Sequence, residues 1–140
     1  MITLSDEARQ FIALFEDETG ATARDCVVDD EDDRVIFVVK PGEMGQAIGP
    51  GGQRVKRVEE RVGRDVELVE DADTPEAFIA NAFAPAVVHH VTVSENGDTV
   101  AYVEVAAEDR GVAIGTEGRN IRAVRMLARR HFDVEDVELT

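Results

Sequence analysis

One segment of this chain is written twice. Gly45-Gln46-Ala47-Ile48-Gly49-Pro50-Gly51-Gly52-Gln53-Arg54-Val55-Lys56 returns 66 residues later as Gly111-Val112-Ala113-Ile114-Gly115-Thr116-Glu117-Gly118-Arg119-Asn120-Ile121-Arg122. The pattern Gly-x-Ala-Ile-Gly-x-x-Gly-x-x-(Val/Ile)-(Lys/Arg) holds in both copies. Asp65-Val66-Glu67-Leu68-Val69 is echoed by Asp136-Val137-Glu138-Leu139-Thr140 at an offset of 71, so the second copy carries about five extra residues before its last element. A repeat of this length divides a 140-residue chain into two small units, 1–72 and 73–140, meeting in the polar connector Glu70-Asp71-Ala72-Asp73. A unit of ~70 residues buries only ~60% of the surface its unfolded chain exposes, so the two are expected to pack against each other.

Each copy follows one plan. Ser5 is placed to cap a helix whose apolar positions Ala8, Phe11, Ile12 and Phe15 have helical spacing and which stops near Gly20. Two β-branched runs, Cys26–Val28 and Val35–Val39, read as strands separated by the acidic loop Asp29–Asp33. A short helix to Ile48, a glycine loop, a helix over Gln53–Val62 and a strand over Val66–Val69 complete the copy. The second begins with Thr74 as cap and Pro75 in the first helical turn, and Pro85 ends that helix. Strands at Val87–Val93 and Val100–Val105 flank Asn96-Gly97, a strong hairpin signal. A helix to Ile114, a second glycine loop, a helix over Arg119–Arg130 and a last strand follow. The order is α-β-β-α-α-β twice, an α+β fold in which helices cover one face of a three-stranded sheet.

A glycine loop joining two helices lets a nucleic-acid backbone come close, because no Cβ stands in the way. The N-terminus of the following helix offers unpaired N–H groups and a partial positive charge to a phosphate. Both Ile-Gly-x-x-Gly-x-x-(Val/Ile) segments, set in this element order, resemble type II KH domains. Two in direct succession, with almost nothing else, resemble the short archaeal form of the NusA family of transcription termination/antitermination factors. The resemblance implies single-stranded RNA as partner, with RNA polymerase as a second partner and a role in transcription elongation or termination. Carried onto this sequence, it makes Ile48, Gly49, Pro50, Gly51, Gly52 and Gln53 of the first loop, and Ile114, Gly115, Thr116, Glu117, Gly118 and Asn120 of the second, candidate RNA-binding residues. Bases would lie in aliphatic grooves that Ile48 and Ile114 shape, with Val55 and a β-branched strand as further lining. Pro50 supplies no N–H and Glu117 opposes a phosphate, so the first loop is the better candidate grip.

Charge gives an argument independent of family. The chain holds 30 Asp plus Glu against 15 Lys plus Arg, for a net charge of −15. Such a balance repels phosphates in dilute salt. It also suits a halophilic archaeon, since at molar salt the Debye length shrinks to ~3 Å. Eleven of the cations nevertheless fall in 44–64 and 110–131, which carry net charges of +3 and +5. Arg54, Arg57, Arg61 and Arg64 are spaced as one helical stripe, while Val55, Val58 and Val62 point elsewhere. Arg119, Arg122, Arg125 and Arg129 repeat the arrangement against Ile121, Val124 and Leu127. Arg54, Lys56, Arg57, Arg119 and Arg122 join the candidate RNA contacts. The competing interpretation is that these cations pair with the abundant carboxylates.

Other chemistries find little support. His89, His90, His131 and Cys26 lack metal-ligand spacing, and Asp29–Asp33 lacks the alternation of a calcium loop, reading instead as a solvated hairpin tip. There is no Gly-x-x-x-x-Gly-Lys-(Ser/Thr) and no nucleophile elbow, so no enzyme activity, cofactor, metal or small-molecule substrate is expected. A lone Cys26, no signal peptide and no ~18-residue apolar run lead to the expectation of a cytoplasmic protein with no membrane partner. The alternative function is a protein-interaction module, in which partly degenerate KH folds dock on RNA polymerase or the ribosome. Pro50 and Glu117 speak for it.

Overall fold

The computed structural model describes residues 2–140, which form two compact units dividing between Asp71 and Ala72. In the first, α1 (Asp6–Thr19) starts where Ser5, in extended conformation, accepts a 3.1 Å hydrogen bond from the Ala8 N–H. It ends at Gly20, left-handed at φ 69°. Strands β1 (Ala23–Asp29) and β2 (Arg34–Val39) pair antiparallel, and β2 pairs parallel with β3 (Asp65–Glu70). A parallel partner requires the chain to cross back over the sheet. The crossover here is α2 (Met44–Ile48), a 3-10 turn (Pro50–Gly52) and α3 (Gln53–Val62). The glycine loop is therefore held at the junction of two helices that both lie on one side of the sheet.

The second unit repeats this plan. Thr74 caps α4 (Pro75–Phe83) by accepting from the Ala77 N–H at 3.2 Å. Strands β4 (Val88–Ser94), β5 (Val100–Val105) and β6 (Asp136–Leu139) form a sheet with β5 central, antiparallel to β4 and parallel to β6. Helices α5 (Arg110–Ile114) and α6 (Arg119–Phe132) make the crossover. Most of the extra residues go into α6, which has 14 residues against 10 in α3, about one more helical turn.

The core of the first unit stacks Phe15 on Phe37 at 4.6 Å, among Ala8, Cys26, Val35, Val39, Ala47 and Val58. In the second, Phe78 lies against the rings of His131 and Phe132, with Ile79, Val103, Val124 and Leu127 buried nearby. The two sheets differ on the face away from their helices. Tyr102 and Glu104 on β5 are exposed, whereas every residue of β2 is buried, Ile36 and Val38 included. The unbroken apolar run of β2 against the alternation of β5 expresses this difference in sequence.

The acidic loop after β1 is more than a solvated tip. It surrounds Arg34, which is wholly buried: Asp29 accepts from Nε at 2.7 Å and Asp32 from Nη2 at 3.3 Å, while Glu67 on β3 takes Nη1 at 3.3 Å. Asp30 meets Arg64 at 2.8 Å. A guanidinium out of water needs opposite charge around it, and the loop supplies that charge.

Candidate nucleic-acid interface

The two glycine loops share one backbone. Gly49 and Gly115 have φ/ψ of 75°/170° and 78°/168°. Gly51 and Glu117 sit at 62°/18° and 56°/28°, and Gly52 and Gly118 at 75°/15° and 77°/12°. The first glycine is demanded by crowding as well as by φ. A Cβ on Gly49 would lie 2.7 Å from Arg54 Cγ, and one on Gly115 would lie 2.7 Å from the Asn120 backbone nitrogen. Nothing lies within 4 Å of a Cβ on Gly51 or Gly52. The openness belongs to the second half of the first loop. In the second loop Glu117 fills the place of Gly51 and projects a carboxylate from an exposed left-handed position.

Part of the amide array expected at the helix N-terminus is consumed by the turn itself. The N–H groups of Gly52 and Gln53 bond to the carbonyls of Gly49 and Pro50, and Gly118 and Arg119 do likewise with Gly115 and Thr116. A phosphate at these loops would rely on close approach and on side chains.

Those side chains divide by distance from the loop. Arg54 donates from Nη1 to the Gln46 carbonyl at 2.9 Å. Its repeat mate Asn120 donates from Nδ2 to the carbonyls of Val112 and Ala113 at 3.3 and 3.1 Å. Gln46 and Val112 are themselves repeat mates, so one position in each copy ties the loop shut across the helix–turn–helix. Arg122 donates from Nη1 to the Glu117 carbonyl at 2.6 Å, bracing the second loop. Further along α3, Arg61 pairs with Glu18 and Asp17 of α1 at 2.9 and 3.1 Å, and these hydrogen bonds raise its pKa. In α6, Arg125 binds the Val137 carbonyl and the Asp136 carboxylate, both at 3.1 Å, and Arg129 donates to the Glu135 carbonyl at 3.0 Å. The stripe read from spacing is thus split by the tertiary fold. Its far end secures the helices, while the exposed side chains of Lys56 and Arg57 have no hydrogen bond or ion pair among the described residues.

Ile48 and Ile114, at the ends of α2 and α5, are 39% and 38% exposed, large for isoleucine on a helix that faces a core. Ile114 forms the floor of a groove of about 480 Å³ with Ile121 of α6 and Leu139 of β6, flanked by Arg110, Arg125 and Glu138. Thr116 and Gln53 are exposed at the loops, and Arg119 is half-buried. Of the groove residues only Ile114 stood among the sequence candidates. Ile121 was legible as the mate of Val55, a groove position. Glu138 and Leu139 were not, because only strand pairing brings the end of the chain beside the loop helices.

Two copies of one helix–glycine loop–helix crossover on a three-stranded sheet define a tandem KH protein. Residues 9–81 match the KH domain and residues 75–140 the NusA-like second KH domain. The chain belongs to the NusA family. It is 63% identical, over 99% of both chains, to the probable transcription termination protein NusA of Halobacterium salinarum. It is 34% identical to the Methanocaldococcus jannaschii protein of the same name, over 99% of this chain and 75% of that one. The solved structure of APE1850 superimposes with a TM-score of 0.87 at 36% identity, covering 98% of this chain and all of that one. Relatives from Halobacterium and Halococcus, both halophilic, accord with the acidic composition. Among the described residues no helix is long and apolar enough to cross a membrane.

Proposed function

We propose that this chain is a single-stranded RNA-binding transcription termination factor that acts in the cytoplasm without enzymatic chemistry of its own. The observation that carries this reading is the first loop. Gly51 and Gly52 leave open space for a sugar–phosphate backbone, and Lys56 and Arg57, about a turn further on, have no partner among the described residues. In a chain of net charge −15, unneutralised cations beside an open loop are a directed feature. Ile48 and Ile114 supply apolar surface for bases next to each loop. Arg54 and Arg122 add positive charge while bracing the loops. The family names of the relatives support placing this RNA contact in transcription, with RNA polymerase as a partner.

Glu117 favours a second reading for the second unit, in which its loop faces a protein. The test is fluorescence anisotropy of the full chain with unstructured single-stranded RNA in molar KCl. Gly51→Asp should abolish binding, and Glu117→Gly should strengthen it, more so as salt is lowered. RNA affinity indifferent to Gly51→Asp, with polymerase association intact, would replace the RNA reading by docking.

A further inference from the structure

The surfaces beside the two glycine loops are not equivalent. In the second unit the apolar floor of Ile114, Ile121 and Leu139 is flanked by Arg110, Arg125 and Glu138. By repeat position, the first unit has Met44 for Arg110, Glu59 for Arg125 and Glu67 for Glu138. Glu67 is committed to Arg34 at 3.3 Å. The first unit thus offers no arginine at these positions. Both arginines of the second groove are anchored at one nitrogen only: Arg110 through Nη1 to the Thr140 carbonyl at 2.9 Å, and Arg125 through Nε to Asp136 and Val137. Their remaining donors, and the Glu138 carboxylate, have no partner among the described residues. An aliphatic surface bounded by held guanidinium donors and an uncommitted carboxylate acceptor is a hydrogen-bonding template.

We infer that the second groove is the base-reading site of this protein and that it selects guanine. Of the four RNA bases, only guanine places two N–H donors, N1–H and N2–H, side by side, where they match the two oxygens of a carboxylate. Its O6 and N7 are adjacent acceptors that match a guanidinium. Adenine and cytosine present one amino group to Glu138, and uracil a single N–H between two carbonyls. Any of these leaves a carboxylate oxygen or an arginine donor unmatched once the base itself covers the groove. Labour is then divided between the units. The first loop, with Gly51 and Gly52, takes the backbone, and the second, whose loop carries Glu117, reads a base.

This inference rests on the RNA-binding reading, and the experiment separates the two. Full-length protein is titrated in molar KCl with the twelve-nucleotide RNAs (AAG)4, (AAA)4, (AAC)4 and (AAU)4, and with inosine replacing guanosine in the first. The expected result is (AAG)4 tighter than the others by about tenfold. Inosine, which lacks the N2 amino group, should recover only part of that preference. In Glu138→Gln and in Arg110→Met, which installs the first unit's residue, the ratio of (AAG)4 to (AAA)4 affinity should collapse toward one. Equal affinity for all four RNAs, preference for another base, or a guanine ratio that survives Glu138→Gln would each overturn the inference. RNA binding that weakens for all four sequences alike in the Lys56→Glu/Arg57→Glu double variant would still uphold the RNA-binding reading. Absence of binding to any of the RNAs would overturn both.

Discussion

Arg34 donates from Nε to Asp29 Oδ2 at 2.7 Å with its side chain only 1% exposed, at the point where the first hairpin turns into the central strand of its sheet. Neither residue belongs to a glycine loop, and the pair should weigh heavily on the stability of the first unit. Removing one member of a buried ion pair costs about 3–5 kcal/mol, because the other is left charged and out of water. Arg34→Ala should lower the melting temperature of the protein by several degrees or more. Arg64→Gln, whose pairs with Asp30, Asp33 and Glu7 are more exposed, should cost about 1 kcal/mol or less. Thermal unfolding followed by circular dichroism at fixed salt distinguishes the two.

Acid should attack the same place. Burial by itself would raise the pKa of Asp29, but the Arg34 hydrogen bond and charge, with backbone N–H groups of Asp32 and Glu31, overcome it and hold the carboxyl below its ordinary value of 3.8. A depressed folded-state pKa contributes stability that is complete above the unfolded value and fades as pH falls through the folded one. Wild-type stability should therefore decline below about pH 4, with Asp29→Asn less stable at neutral pH and less sensitive to acid. Parallel pH–stability curves for wild type and variant would refute this.

The glycines of the two loops should separate by role. Gly51→Ala places a Cβ in open space at φ 62° and should cost about 1–2 kcal/mol for the left-handed backbone. Gly49→Ala meets the flexible Arg54 side chain, whereas Gly115→Ala meets the backbone nitrogen of Asn120. Backbone cannot swing aside, so Gly115→Ala should be the most destabilising of the three. Thermal denaturation of the three variants gives the order.

Cations at the two ends of α3 should differ in RNA binding although they share one helix. Lys56→Gln and Arg57→Gln should each weaken RNA binding across sequences and reduce the slope of log affinity against log salt by roughly 0.7. Arg61→Gln, whose charge is already met by Asp17 and Glu18, should leave the slope unchanged. Salt titrations of anisotropy read this out, and a slope change for Arg61→Gln equal to that for Arg57→Gln would contradict it.

Much of this is legible in the sequence. The repeat around Gly45 and Gly111, the caps Ser5 and Thr74, and the alternation of helical and β-branched runs specify the elements because they are local, acting within a few residues of chain. Concentration of cations after each glycine loop is equally a property of order along the chain. What lay beyond reach depended on partners distant in sequence. Spacing put Arg54, Arg57, Arg61 and Arg64 on one face, but only the packing of α1 and the acidic loop decided that Arg61 and Arg64 are spent within the fold. Asp29 and Asp32 lie within five residues of Arg34, but its burial and its third carboxylate, Glu67, depend on a strand reached through the crossover. The groove in the second unit arises where β6 pairs with β5, across the crossover, and so lays Glu138 and Leu139 beside α5 and α6. Backbone conformation and amphipathicity are written residue by residue; burial, charge neutralisation and concave surfaces arise only when remote segments meet.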